Sequence, residues 1–131
     1  MPTVTILYAG ILGLLSIVLA SLVGRQRGAS GISIGLGENP ELLLASRRHG
    51  NFTEYVPLAL ILMGLLEANG VGATTTHVFG AVLVIARICH PIGLRADAPT
   101  HPMRAIGAAG TILLTVVMSI WAIVLFFSGA Q

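Results

Sequence analysis

The sequence predicts an all-α membrane protein, a single bundle of four transmembrane helices. The 131 residues are 55% hydrophobic and only 9% charged, whereas about a quarter of the residues in soluble proteins are charged. Long uncharged runs recur along the chain, and all seven basic residues are arginines that cluster beside two of the predicted connections. A chain with so few polar groups cannot cover a water-soluble surface, so lipid must contact much of it.

The first and last helices give the clearest signals. A transmembrane helix needs about 20 mainly apolar residues, and residues 4–23 and 106–127 are uncharged runs of that length. The first run lacks a preceding basic segment and is about twice as long as the apolar region of a signal peptide, so we interpret it as a retained helix. The predicted spans are 3–24 and 104–128.

The two middle helices are less uniform. Residues 56–66 are apolar but follow several polar side chains, and residues 68–86 are uncharged up to Arg87. Only an Asn-Gly-Val-Gly segment separates the two runs, which predicts a tight antiparallel hairpin. The predicted spans are 48–69 and 73–94.

The arginines orient the predicted helices. They flank the first connection, residues 24–46, and the third, residues 95–102, while the N-terminus, the hairpin and the C-terminus contain none. Arginine-rich connections are usually cytoplasmic. The sequence therefore predicts that both termini lie outside and that the arginine-rich face lies in the cytoplasm.

Polar side chains open the second helix. Arg47, Asn51 and Glu54 follow i, i+4, i+7 spacing and therefore share one side of the helix. A carboxylate inside a membrane is costly, about 3 kcal/mol at the bilayer centre and less near its edge. The pattern predicts that an arginine pairs with Glu54.

Two further helices bring charge to the same face. Arg87 and His90 share a side of the third helix, and Arg104 opens the fourth. More arginine than acid at one depth indicates a site for an anionic ligand. The structural alternative is that these charges only hold the bundle together and mark the cytoplasmic edge.

Other kinds of site are not predicted. Cys89 and His90 are neighbours, so on a helix they point about 100° apart and cannot form a nucleophile–base pair. The four histidines lack metal-ligand spacing, and seven arginines separated by apolar runs do not form a nucleic-acid surface. Glu67 falls at the opposite membrane edge, where we expect it to be solvated.

These motifs together resemble one family, the membrane-associated proteins in eicosanoid and glutathione metabolism (MAPEG), and its bacterial branch in particular. The matching segments are Gly35-x-Gly37-Glu38-Asn39-Pro40, Arg47-x-His49-x-Asn51-Phe52-x-Glu54-Tyr55-x-Pro57-Leu58, Arg87-x-x-His90 and Arg104. The resemblance covers essentially the whole chain, and the second-helix motif is specific.

The resemblance implies a homotrimer in a bacterial inner membrane, with periplasmic termini and with glutathione bound as co-substrate between protomers near the cytoplasmic face. It implies that Arg104 is the catalytic residue that holds the glutathione thiolate. The residues that it assigns to glutathione binding are Arg47, His49, Asn51, Glu54, Tyr55, Arg87 and His90.

The function implied by the resemblance is that of a microsomal-type glutathione transferase or peroxidase, whose partners are glutathione, an apolar electrophile or lipid, and membrane lipids. Leu94 and Ala105 stand where the family's eicosanoid enzymes have Tyr and Ser, which argues against a dedicated eicosanoid synthase. A non-catalytic glutathione- or lipid-binding protein is the first alternative. A small multidrug-type transporter is disfavoured because the first predicted helix has no carboxylate.

Overall fold

The computed structural model describes residues 1–129, which form four α-helices and no β-strand. In chain order they are α1, Thr3–Ser30; α2, Pro40–Ala68; α3, Ala73–Gly93; and α4, Pro102–Phe127. The helices α1, α3 and α4 are long and apolar enough to cross a membrane. The 29 residues of α2 extend about 44 Å at roughly 1.5 Å per residue, which also exceeds the bilayer core. The predicted fold class is confirmed.

The bounds predicted around the first connection were wrong. The helix α1 runs to Ser30, six residues beyond the predicted end at 24, and stops at Gly31, whose φ is 67°. The helix α2 begins at Pro40 instead of 48, because the side chain of Asn39 accepts a hydrogen bond of 2.9 Å from Leu42 N and caps it. The hydropathy pattern shows only where the apolar residues of each helix end. The helix α1 continues beyond its apolar residues, and α2 begins before its own.

The connection at residues 31–39 is held by one arginine. Nη1 of Arg27 donates to three carbonyl oxygens, those of Ile32 at 3.2 Å, Ser33 at 3.2 Å and Gly35 at 2.9 Å. These bonds fold the short connection against the end of α1. Arg27 therefore has a structural role at the first connection.

Glu67 ties α1 to α2 at the end of the bundle opposite the arginines. Its carboxylate accepts hydrogen bonds from Val4 N at 2.8 Å, Thr5 N at 2.8 Å and Thr5 Oγ1 at 2.7 Å. The first amides of a helix have no acceptor within the helix and carry partial positive charge. Glu67 thus caps α1, and the expectation that it is merely solvated was wrong.

Replacing Glu67 by alanine is expected to lower stability by about 1–2 kcal/mol, as loss of a helix cap does. The Tm of the purified protein in detergent micelles measures the effect. Glu38→Ala is the matched control, because Glu38 is an exposed carboxylate in the first connection. Equal Tm values for the two variants would contradict the capping role.

The helices α3 and α4 make the most extensive contact in the bundle. Two buried glycines let their backbones approach. A Cβ at Gly93 would collide with the backbone of Arg104, and a Cβ at Gly107 would lie 2.6 Å from His90 N and 2.7 Å from the Ala86 carbonyl oxygen. The small residues at the start of α4 thus serve close helix packing, as the sequence indicates.

All four helices contribute to one apolar core. Its buried side chains are Leu12, Leu19, Phe52, Val56, Ala59, Met63, Leu66, Phe79, Leu83, Leu114 and Met118. The remaining apolar side chains on α1 and α4 are largely exposed, which is the expected pattern for helices that face lipid. The chain is therefore arranged as an integral membrane bundle.

Candidate functional site

The centre of the polar site is Arg87, whose side chain lies on α3 and is only 1% exposed. Its Nη1 donates to Asn51 Oδ1 on α2 at 2.9 Å, and its Nη2 donates to the Gly107 carbonyl oxygen on α4 at 2.7 Å. The guanidinium carbon lies 6.0 Å from the ring centroid of Tyr55. One side chain therefore connects three helices, through two separate nitrogens of its planar guanidinium fork.

A cleft opens at the arginine end of the bundle, next to Asn51, the hydrogen-bond partner of Arg87. We call it the outer cleft; its volume is about 260 Å³, and its polar lining consists of Arg47, Asn51, His90 and Arg104. Leucines of α2 and the end of α3 form its apolar wall. The structure therefore brings four of the predicted site residues, from three helices, to one cleft.

The guanidinium of Arg104 is turned toward the connection that precedes α4. Its Nη1 donates to the Pro99 carbonyl oxygen at 3.0 Å, and the residue is exposed. His90 is 6% exposed and belongs to the wall of the cleft. The outer cleft thus has one buried imidazole and two arginines at its mouth.

A smaller cavity, partly open to the outside, lies between α2, α3 and α4, with exposed Tyr55 and Ile112 at its edge. We call it the inner cavity; its volume is about 30 Å³, and it is lined by Asn51, Tyr55, Arg87, Ala108, Thr111 and Ile112. Asn51 lines both spaces, and Tyr55 follows it by four residues, which is about 6 Å along a helix. The two spaces are therefore consecutive along the same side of α2.

Two predicted site residues lie outside both spaces. Glu54 is exposed on α2, and the one ion pair within residues 1–129 joins Arg95 to Asp97. Within residues 1–129 of one chain no arginine pairs with Glu54, because Arg87 turns to Asn51 instead. An arginine partner for Glu54 stays a prediction. His49 is half-buried and lines neither the outer cleft nor the inner cavity.

Residues around the site that sequence reasoning did not single out hold its frame. Nε and Nη2 of Arg48 donate to the Leu94 carbonyl oxygen at 3.2 and 2.7 Å, which fixes the end of α3 against α2. Thr111 Oγ1 donates to the Gly107 carbonyl oxygen at 2.9 Å. The i, i+4 spacing of these two residues on α4 is the signal that could have placed Thr111 beside Arg87.

Charges at the rim are paired among themselves. Nη2 of Arg95 lies 2.8 Å from Asp97 Oδ2, and this hydrogen bond holds the pKa of the exposed Asp97 carboxyl below its usual range. No group of three or more His, Cys, Asp and Glu within residues 1–129 is arranged to hold a metal ion. The polar side chains that line the outer cleft and the inner cavity carry guanidinium, imidazole, amide, phenol and hydroxyl groups.

The donor-rich cleft in a four-helix membrane bundle agrees with a comparison against known protein families. The MAPEG family model matches residues 5–124. The chain belongs to the MAPEG family. The resemblance of the second-helix motif is thereby confirmed at the level of the family.

Two curated relatives are similar over nearly the full chain. The inner membrane protein YecN of Escherichia coli K12 is 34% identical over 121 residues, which cover 90% of this chain and 91% of YecN. YecN of Escherichia coli O6:H1 strain CFT073 matches with the same identity and coverage. No solved structure matches this MAPEG chain.

Proposed function

We propose that this MAPEG protein is a glutathione-dependent transferase or peroxidase that acts on apolar electrophiles or lipid hydroperoxides from the bilayer. The observation that supports it most is the outer cleft, where Arg47, Asn51, His90 and Arg104 converge without a carboxylate in the lining. Glutathione has two carboxylates, and arginine forms charge-assisted, often bidentate, hydrogen bonds with such groups. A cleft with two arginines and no carboxylate in its lining therefore complements the negative charge of glutathione.

The same cleft would activate the thiol of the bound glutathione. A thiol with a pKa of about 8.5 is mostly protonated at neutral pH, and a neighbouring cation lowers that pKa. Each unit of lowering corresponds to about 1.36 kcal/mol of thiolate stabilisation. Arg104 would supply this positive charge and, unlike lysine, would not itself titrate. The thiolate sulfur would then displace a leaving group from an electrophile and form a thioether. With a hydroperoxide it would attack the outer oxygen and break the O–O bond, which releases an alkoxide that takes up a proton, and a second glutathione would convert the resulting sulfenic acid to the disulfide and water.

The exposed position of Glu54 supports assembly into a homotrimer. A carboxylate that faces outward close to the membrane interior is costly unless it meets a partner. In a trimer with the site between neighbouring subunits, Glu54 would meet polar groups of the adjacent chain or the ammonium of glutathione. The trimer would then complete a site of which one chain supplies only part.

The arginine distribution and the similar proteins support a location in the inner membrane, with the arginine-rich face in the cytoplasm. All seven arginines lie at the ends of α1 and α3, at the starts of α2 and α4 or in the adjoining connection, and arginine-rich faces are usually cytoplasmic. The similar protein YecN is an inner membrane protein. We place this chain in the inner membrane with periplasmic termini and with the outer cleft open to the cytoplasm, the compartment expected to contain reduced glutathione.

Arg104→Ala is expected to abolish thiolate formation. Adding glutathione to the purified wild-type protein should raise the ultraviolet absorbance of the thiolate. Loss of one unit of pKa lowering would reduce the thiolate fraction about tenfold near neutral pH. Arg25→Ala is the matched control, because Arg25 is exposed at the end of α1 and lines neither the outer cleft nor the inner cavity. A signal that persists in Arg104→Ala would remove Arg104 from the mechanism.

A non-catalytic binding protein is the second candidate, and the hydrogen bond from Arg104 to the Pro99 carbonyl oxygen favours it. That bond turns the guanidinium toward the connection, where it stabilises a thiolate less. Conjugation of an aryl halide by the wild-type protein separates the two candidates. Glutathione binding without a thiolate signal and without conjugation would support binding alone, whereas no binding at all would exclude both glutathione-based functions.

A further inference from the structure

A second groove lies at the arginine end of the bundle, apart from the outer cleft. We call it the edge groove; it is open to the outside, its volume is about 250 Å³, and it lies between the start of α2 and the connection that follows α3. Its lining consists of Glu41, Leu44, Arg48, Arg95, Ala96 and Asp97. None of these residues is assigned to glutathione, and only Leu44 also lines the outer cleft.

The charges in the edge groove balance, with two arginines and two carboxylates. Arg95 and Asp97 neutralise each other, since Nη2 lies 2.8 Å from Oδ2. This is the one ion pair within residues 1–129, so neither Glu41 nor Arg48 has an oppositely charged partner in the described part of the chain. An unpaired carboxylate and an unpaired guanidinium in one groove complement a ligand that carries one charge of each sign.

Both arginines are held by the protein and still have free donors. Arg48 uses Nε and Nη2 for the Leu94 carbonyl oxygen, and Arg95 uses Nε and Nη2 for the two carboxylate oxygens of Asp97. Within residues 1–129, Nη1 of each arginine has no hydrogen-bond acceptor. A guanidinium that is already fixed along one edge loses little conformational entropy when it binds a further group, and phosphate is an anion that arginine binds well.

The unpaired charges lie at different distances from the membrane. The 21 residues of α3 extend about 32 Å at roughly 1.5 Å per residue, which is close to the thickness of the bilayer core, and Arg95 follows two residues after its end. Arg48 lies at the same edge because it contacts Leu94. Glu41 precedes Arg48 by seven residues on the same side of α2, about 10 Å farther from the membrane. The guanidiniums are therefore at the membrane edge, and the free carboxylate lies outside it.

We propose that the edge groove binds the head group of phosphatidylethanolamine, a zwitterionic phospholipid. The phosphate of this lipid lies at the edge of the bilayer core, where Arg48 and Arg95 donate to it, and its ammonium extends outward and donates to Glu41. The exposed side chains of Ile88 and Ile92, at the end of α3, provide an apolar surface for the acyl chains. Purely basic pockets select anionic head groups, whereas the balanced charge of this groove selects a zwitterion.

The experiment measures the Tm of the protein in a non-ionic detergent, without glutathione and with equal mole fractions of three added lipids. Phosphatidylethanolamine is expected to raise Tm by about 2–4 °C more than the other two, since a ligand that binds only the folded state stabilises it. Phosphatidylglycerol has the phosphate but no ammonium, and the ammonium of phosphatidylcholine has no N–H to donate. Soluble glycerophosphoethanolamine at the same concentration should give no rise, and an equal rise would overturn the lipid as the ligand.

Two variants test the two ends of the head group. Glu41→Gln should lose the preference for phosphatidylethanolamine, and Glu38→Gln, at an exposed carboxylate outside the groove, should keep it. Arg95→Gln should raise the mole fraction that gives half of the effect several-fold, whereas Arg25→Gln should not change it.

Equal Tm rises with the three lipids in the wild type would overturn the proposal. A preference for phosphatidylethanolamine that Glu41→Gln retains would overturn it as well. A merely structural role of Glu41 would lower Tm equally in all three lipids and would leave the difference between them unchanged. Because glutathione is absent throughout, the result is independent of the proposed enzymatic function.

Discussion

Gly107→Ala is expected to destabilise the bundle by about 3 kcal/mol, at the upper end of the range for overpacked cores. The added Cβ would lie 2.6 Å from His90 N and 2.7 Å from both the Ala86 carbonyl oxygen and His90 Cβ. Two of these three atoms belong to the α3 backbone, which cannot turn aside as a side chain does. The helices α3 and α4 would have to separate. Thermal or denaturant unfolding in detergent measures the loss.

Gly110→Ala is the matched control for this variant. Its Cβ would lie 3.5 Å from Ala86 Cβ, an ordinary van der Waals contact, and alanine favours a helix over glycine by about 1 kcal/mol. The control should therefore be neutral or slightly stabilising. If both variants unfold at the same temperature, close approach at Gly107 does not determine the packing of α3 against α4.

The same substitution should also impair the outer cleft. The Gly107 carbonyl oxygen accepts hydrogen bonds from Arg87 and Thr111. Arg104 lies about one turn before Gly107 on the same helix. Displacing α4 moves all of these groups relative to α2. Glutathione affinity should therefore fall in Gly107→Ala at temperatures where the variant remains folded, and it should be unchanged in Gly110→Ala.

Much of the fold could be predicted from the sequence because the membrane makes the hydropathy pattern decisive. Runs of about 20 apolar residues can satisfy their backbone groups in lipid only as helices, and α1, α3 and α4 contain such runs. The shorter apolar run of α2 and the tight hairpin that follows it leave few arrangements for the four helices. The end of α1 and the start of α2 could not be predicted from hydropathy. They extend beyond the apolar segment, and local capping by Gly31 and Asn39 determines where they stop.

The candidate site was predicted in composition but not in its internal partners. Helical spacing correctly placed Arg47 and Asn51 on one side of α2, and both line the outer cleft. Spacing within one helix does not reveal which side chain of another helix it meets. Arg87 contacts the amide of Asn51 and the Gly107 carbonyl of α4, and no carboxylate of the described chain pairs with it.

Arg87→Lys is expected to be the most damaging conservative substitution in the site, with a loss of about 3 kcal/mol. The guanidinium uses separate nitrogens for Asn51 on α2 and for the Gly107 carbonyl on α4. A lysine ammonium is a compact, strongly hydrated point charge. It would keep the buried charge and lose the geometry that satisfies two helices at once, and such uncompensated burial costs several kcal/mol.

Arg87→Met, compared with Arg87→Lys, distinguishes the effect of the buried charge from that of the two hydrogen bonds. Methionine removes the buried charge together with both hydrogen bonds. The Gly107 carbonyl oxygen keeps the Thr111 hydroxyl as a donor, so the main loss is the Asn51 oxygen left without a donor, about 1–2 kcal/mol. The expected order of Tm is therefore wild type, then Arg87→Met, then Arg87→Lys. Arg95→Lys, at an exposed arginine in the third connection, should leave Tm unchanged.

The order of these variants distinguishes two roles for Arg87. If positive charge alone is required at this depth, Arg87→Lys retains the wild-type Tm and Arg87→Met does not. If the bridge between α2 and α4 is required, both variants lose stability and glutathione affinity, because Asn51 no longer has a donor to hold it at the cleft. The structure favours the bridge, since each Nη forms a hydrogen bond of 2.9 Å or less to a different helix. A wild-type Tm in Arg87→Lys would therefore contradict the bridging role.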